Sequence, residues 1–180
     1  MSTSRRTTRS CREVLLRFAA AALALMCALP AGAHEGLRCT LQAPARAAPG
    51  QPVLLRFTFR NEGRAPLHLL TWNTPFEGWF GAYVSVSRDG VPLPYGGPMA
   101  KRGDPARDDY LRIAPGRSRS AEVDLALPFD LSRPGRYRIE PRLHLHDLVP
   151  GSRPRLPRPR GQWMPADLGC NAVDVDIGAG

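Results

Sequence analysis

Strict alternation over residues 53–60 limits most sharply what this chain can fold into. Val53, Leu55, Phe57 and Phe59 fall on one side of an extended segment; Leu54, Arg56, Thr58 and Arg60 fall on the other. A period of two, with aromatic and branched side chains on one face, describes a strand with one side in a core and the other in water. Asn61-Glu62-Gly63 ends the run. The same rhythm returns near the end of the chain over residues 171–177, where Val173, Val175 and Ile177 alternate with Asp174 and Asp176.

Between these two runs lie shorter ones separated by turn residues. Residues 67–72 form a strand whose Trp72 is large enough to anchor a core between sheets. Residues 83–88 and 91–95 flank Asp89-Gly90, a pair suited to the positive φ angles of a type I′ hairpin. Residues 110–113 and 120–125 flank Pro115-Gly116, a second turn. Pro134-Gly135 precedes residues 136–140, so Tyr137 follows a turn at a strand start, as in the tyrosine corner of immunoglobulin-like domains. Pro141 interrupts that run, and Leu143 and Leu145 continue it. The pattern predicts about seven to nine strands and no useful amphipathic helix. The expected fold is all-β, an immunoglobulin-like antiparallel β-sandwich.

The first 33 residues read as a signal peptide. Arg5, Arg6, Arg9, Arg12 and Arg17 form a basic start, residues 18–29 an apolar run too short to span a bilayer, and Ala31-Gly32-Ala33 a small-residue cleavage signal. The residues around Arg5-Arg6 fit a twin-arginine signal poorly, and Met26 is too large for a lipidation site at Cys27. The mature chain is expected to begin at His34 as one domain over residues 34–180, in the periplasm or secreted, with no transmembrane segment after cleavage. Losing five arginines and one glutamate lowers the formal charge from +9 to +5. Much of the basicity is therefore targeting, and nucleic acid is not an expected partner. Cys11 and Cys27 leave with the signal; in an oxidising compartment Cys39 and Cys170 read as one disulfide between the first and last strands.

Two segments break the strand rhythm. Residues 96–109 form a loop carrying Lys101 and Arg102. Residues 148–168 hold five prolines and the run "RPRLPRPR", which favours polyproline II geometry with guanidinium groups held out in water. Arg153, Arg155, Arg158 and Arg160 are the candidate site for an anionic envelope polymer, in a structural or adhesive module. A solvated insertion accounts for the same composition.

Catalytic signatures do not appear in this sequence. His34-Glu35 is followed by Gly36-Leu37-Arg38, which lacks the second histidine of HExxH, and there is no Gly-x-Ser-x-Gly elbow, phosphate-binding glycine loop or CxxC pair. No catalytic residues and no cofactor are expected. An alternative is periplasmic copper binding: His34 as a mature N-terminus would chelate through its amine and imidazole, and His144 and His146 share a strand face. A polar strand face explains the same pair.

The block from residue 54 to 137 resembles the N-terminal β-domain, or propeptide region, of deuterolysin-type (M35) zinc endopeptidases, which include peptidyl-Lys metalloendopeptidases. The resemblance rests on "FRNEG", "WNTPFEG", "VSVSRDGVPLPYGG", "LRIAPGRSRSAEVDL" and "FDLSRPGRYRIE" in that order and spacing. It implies a catalytic domain with an HExxH helix after such a region, and no residue up to Gly180 matches that helix. It also implies a secreted metalloprotease as partner, with this domain as a non-enzymatic inhibitor or folding helper. The candidate contact residues are Asn73, Thr74, Pro75, Phe76 and Glu77 beside Trp79, an expected exposed aromatic edge, and Tyr95, Lys101 and Arg102 in a Pro-restrained basic segment. Turn chemistry is the competing account of Asn73-Thr74-Pro75.

Overall fold

The computed structural model describes residues 36–178. The expected leader and His34 lie outside them. Thirteen strand segments fill the described residues, with two single-turn 3-10 helices and no α-helix. In chain order they are β1 (Leu37–Gln42), β2 (Arg46–Ala47), β3 (Leu54–Asn61), β4 (Leu67–Leu70), β5 (Val84–Arg88), β6 (Val91–Pro92) and β7 (Tyr110–Ile113). They continue as β8 (Ser118–Asp124), β9 (Gly135–Pro141), β10 (Leu143–Leu145), β11 (Leu148–Pro150), β12 (Ala166–Leu168) and β13 (Val173–Ile177). The excess over the expected count comes from five segments of two or three residues.

Two sheets make the sandwich. One has the order β1-β3-β8 and the other β2-β13-β9-β5-β6, antiparallel except where β2 runs parallel to β13. Small sheets β11-β4-β7 and β10-β12 flank them. The alternation sets the faces as the sequence predicts: Val53, Leu55, Phe57 and Phe59 are fully buried, and Tyr83, Tyr137, Ile139 and Val175 meet them from the other sheet. Phe57 and Tyr83 bridge the layers edge to face at 6.0 Å.

The turns follow their residues. Asp89 and Gly90 both have positive φ, 49° and 83°, as a I′ hairpin needs. The Tyr137 hydroxyl donates to the Arg133 carbonyl at 2.7 Å, closing the corner expected at that strand start. Asn61 of "FRNEG" is wholly buried: its amide donates to the carbonyls of Ala65 and Ile113 (2.8 and 2.9 Å), and its oxygen accepts from the Gly63 N–H. One side chain thus fixes the turn after β3 and ties it to β7.

Cys39 and Cys170 are joined, 131 residues apart. Cys170 stands just before the last strand rather than in it. Beside it Asn171 clamps β1, accepting from the Leu41 N–H and donating to the Leu41 carbonyl, both at 2.9 Å. Trp72 departs from expectation. The strand ends at Leu70, and Trp72 lies buried outside the inter-sheet core, edge to face with Trp163 at 6.0 Å. The turn chemistry of the next residues turns the chain away before Trp72 can reach between the sheets.

Candidate functional site

Residues 71–78 form two tight turns. Asn73 has φ of 56°, and its side-chain oxygen fills the space where a Cβ on Gly81 would stand. Buried Thr74 donates from its hydroxyl to the Thr71 carbonyl, while the Glu77 and Gly78 N–H groups return to Thr74 and Pro75. Pro75 is buried, and Phe76 packs edge to face on Phe59 at 5.1 Å. The segment is a plug held by turn chemistry, and its aromatic ring closes the core.

Trp79 also faces inward. It is 8% exposed, stacks on Tyr83 at 4.5 Å and donates its indole N–H to the Asp124 carbonyl at 2.8 Å. The exposed aromatic is its neighbour Phe80, at 48%. Sequence position does not separate the two, because only the partner of the indole N–H decides which ring turns in. Tyr95 packs partly buried on Trp79 and Phe129, donating its hydroxyl to the Pro98 carbonyl at 2.9 Å.

Arg102 is the junction of the surface. Its guanidinium pairs with Glu77 and lies over the rings of Trp72 and Phe80, 5.2 and 5.7 Å from their centroids. Lys101 beside it is exposed. The Arg102 and Gly103 carbonyls accept from Arg160, at 2.6 and 2.5 Å. The basic loop and the arginine-proline segment, read separately from the sequence, thus form one continuous face.

That face is built differently from the expected row of solvated guanidiniums. Arg158 turns inward to Asp147, at 3.4 Å, and pairs with the Gln162 carbonyl. Arg160 lies over Trp163 at 5.5 Å, and the Trp163 indole donates to the Arg158 carbonyl. Arg153, Arg155 and Arg160 are exposed and without an ion pair among the described residues, but Arg160 is held by the loop carbonyls and Trp163. Arg153 lines a cleft of about 620 Å³ with Arg107, His68, Tyr110 and Asp108. Burial, reinforced by Arg112 and Arg107, holds the His68 imidazole below its usual range.

The organiser of this segment is Asp147, which the sequence reading did not single out. Its carboxylate is fully buried and accepts from the Tyr110 hydroxyl at 2.9 Å and the Met164 N–H at 2.8 Å, as well as from Arg158. Burial, then the hydrogen bond and charge of Asp147, push the Tyr110 phenol up to about 12.

His144 and His146 do share a face, with ring centroids 5.9 Å apart. His144 sits 2.7 Å from Asp167, and His146 tilts against Trp163. Burial, then His144 and the Arg102 and Arg160 guanidiniums, lower the His146 pKa. Among the described residues no group of three or more His, Cys, Asp or Glu is placed to hold a metal ion.

No protein-family model matches the chain. The "Probable neutral protease 2 homolog A" of Trichophyton rubrum is 31% identical over 138 residues, covering 76% of this chain and 36% of that protein. An "Extracellular protease" of Aeromonas hydrophila is 32% identical over 87 residues, 48% of this chain and 25% of that protein. This is a protease-related domain. The similarity to deuterolysin-type sequences read from the motifs holds, and a neutral protease 2 homolog of Arthroderma benhamiae repeats it at 31% over the same length. The protease-related domain spans between a quarter and 36% of these relatives' length. The sequence words that carry the resemblance sit where the fold turns: Asn61 at the end of β3, residues 73–78 in the plug, Asp89-Gly90 in the hairpin and Tyr137 at the corner.

Proposed function

We propose that this chain is an exported, non-enzymatic binding domain that engages a secreted metalloprotease, as inhibitor or folding helper. One observation carries the reading. The protease similarity extends over 138 residues, 76% of the chain, and the described residues form a disulfide-closed sandwich. An acyl-transfer or zinc-hydrolase centre needs a nucleophile, base or ligand set converging on one point. The side chains gathered at Asp147 instead spend their polar groups on each other, which suits contact rather than turnover. The name of the Aeromonas relative, an extracellular protease, supports export to the periplasm or beyond. The contact face we assign runs from Phe80 through Arg102 and Lys101.

The test is to add signal-cleaved protein to a metalloprotease secreted by the same cell, measuring cleavage of a peptide substrate and co-elution. The expected result is a stable complex with altered activity or improved refolding of the protease. No association at micromolar concentration with any such protease refutes the proposal.

A second reading is favoured by the cleft that joins Arg107 and Arg153 beside His68. There the domain would hold an anionic envelope polymer, with Arg155 extending the contact. Binding would fall steeply with salt, and retention unchanged by replacing Arg107, Arg153 and Arg155 would exclude it.

A further inference from the structure

The edges of the sheets are treated unequally. β1 is closed by the Asn171 clamp. β6 is two residues long and ends in Pro92, while β11 carries Pro150 and its Leu148 N–H already donates to the Met164 carbonyl. These are the usual means of blunting an edge. β8 has none of them. It is seven residues long, without proline, and lies at the end of its sheet.

The register shows which of its groups are free. The Asn61 N–H donates to the Arg117 carbonyl and the Leu125 N–H to the Val53 carbonyl. Residues 117 and 125 therefore face β3, and so do Arg119, Ala121 and Val123 between them, because partners alternate along an antiparallel ladder. Ser118, Ser120 and Glu122 face outward. Among the described residues no partner takes their backbone N–H or C=O groups, and all three residues are exposed. At the next outward position the pattern stops, since the Asp124 carbonyl accepts from the Trp79 indole.

A groove of about 390 Å³ opens where the free edge ends, lined by Trp79, Phe80, Pro98, Glu122 and Leu127. Its rim carries two exposed apolar side chains, Leu127 at 74% and Phe80 at 48%. Of its three carboxylates, Glu122 pairs with Arg56 at 2.9 Å, Asp124 accepts from the Val53 and Ala126 N–H groups, and Glu77 lies against the Arg102 guanidinium. A row of alternating donors and acceptors at strand spacing matches a polypeptide backbone, and an apolar hollow in line with it takes an apolar side chain.

We infer that the outer edge of β8 and the Phe80–Leu127 groove receive an extended segment of a partner polypeptide, which adds as a strand and seats one bulky apolar side chain beside Phe80. Specificity comes from that single side chain, because the edge reads only backbone. The inference deepens the partner-binding proposal and rests on it for the identity of the partner alone.

The probe is a display library of random decapeptides selected on the full chain, with amide exchange as the readout. In the free protein Ser118, Ser120 and Glu122 exchange fast, while Arg119, Ala121 and Val123 are protected. A selected peptide at ten times its Kd slows the three fast amides about tenfold. Ser120→Pro removes an outward N–H that the β3 ladder does not use, and it weakens the peptide at least about tenfold; Ser120→Ala, which keeps the amide, does not. Phe80→Asp spoils the groove at an exposed position and has the same effect should the proline variant fail to fold. Failure to select any peptide, binding that leaves the three amides fast, or equal binding by Phe80→Asp overturns the inference. A metalloprotease that binds without protecting these amides removes this site and leaves the partner proposal standing. Peptide protection without protease binding does the reverse.

Discussion

Replacing Asp147 with alanine should release the arginine-proline segment while leaving the sandwich folded. The carboxylate is fully buried and serves three donors: the Tyr110 hydroxyl, the Met164 N–H and Arg158. Stranding a buried donor costs about 1–3 kcal/mol, and breaking a buried ion pair from one side about 3–5 kcal/mol. Met164 is partly solvated and Arg158 retains the Gln162 carbonyl, so the lower end applies, about 3 kcal/mol. None of the three donors belongs to the two main sheets, so the loss should fall on local opening of residues 148–168. At one decade per 1.4 kcal/mol, exchange of the Leu148 amide, which donates to the Met164 carbonyl, should accelerate about a hundredfold. Trypsin should cut after Arg155, which unlike Arg153 is not followed by proline, with a similar gain. The Tyr110 phenol should titrate below its present value near 12, because the hydrogen bond and the charge of Asp147 have both gone. Unchanged Leu148 exchange and unchanged tryptic cleavage would refute the assignment of Asp147 as organiser.

Three further outcomes are expected. Asn61→Ala strands two carbonyls and one N–H around a buried site and should cost about 2–4 kcal/mol in urea unfolding; a loss below about 1 kcal/mol would mean water replaces the amide. Replacing Cys39 and Cys170 by alanine opens a loop of 131 residues and should lower stability by about 4–5 kcal/mol, read from the same titration against the oxidised protein. Two histidines have folded pKa values below the unfolded one: His146, by burial and by His144, Arg102 and Arg160, and His68, by burial and by Arg112 and Arg107. The unfolded chain therefore binds more protons through this range, so their contribution is present above the unfolded value near 6.5 and is lost as pH falls below it. The unfolding midpoint should drop between pH 7.5 and pH 5.5, and the drop should shrink in a His146→Gln, His68→Gln variant.

The fold was legible wherever a local rule had no competitor. The alternation of β3 gave its inner face residue by residue, Asp89-Gly90 gave a hairpin, and Tyr137 after Pro134-Gly135 gave a corner. All three depend on neighbours within a few positions. The functional face was less legible because its decisive contacts are distant in sequence. Nothing near Asp147 announces that one acid will hold Tyr110, Arg158 and Met164 at once. An alternating arginine-proline run reads as solvated until Arg160 is seen on the Arg102 carbonyl, 58 residues away. Trp72 and Trp79 differ only in what lies opposite them, which is why one leaves the core and the other enters it. The free edge of β8 emerges only from the pairing of β3, since no residue type marks a strand as outermost.

The link between Cys39 and Cys170 also decides how the domain responds to being pulled. Tension entering before Cys39 and leaving after Cys170 crosses from one end to the other through sulfur and bypasses the 130 residues enclosed between them. Stretched by an attached neighbour, the oxidised domain would lengthen only outside the bridge, by peeling β13 from β9, whereas the reduced one would also load the β1–β3 ladder. The thiol-disulfide state therefore sets whether the sandwich behaves as a rigid spacer or as an extensible one.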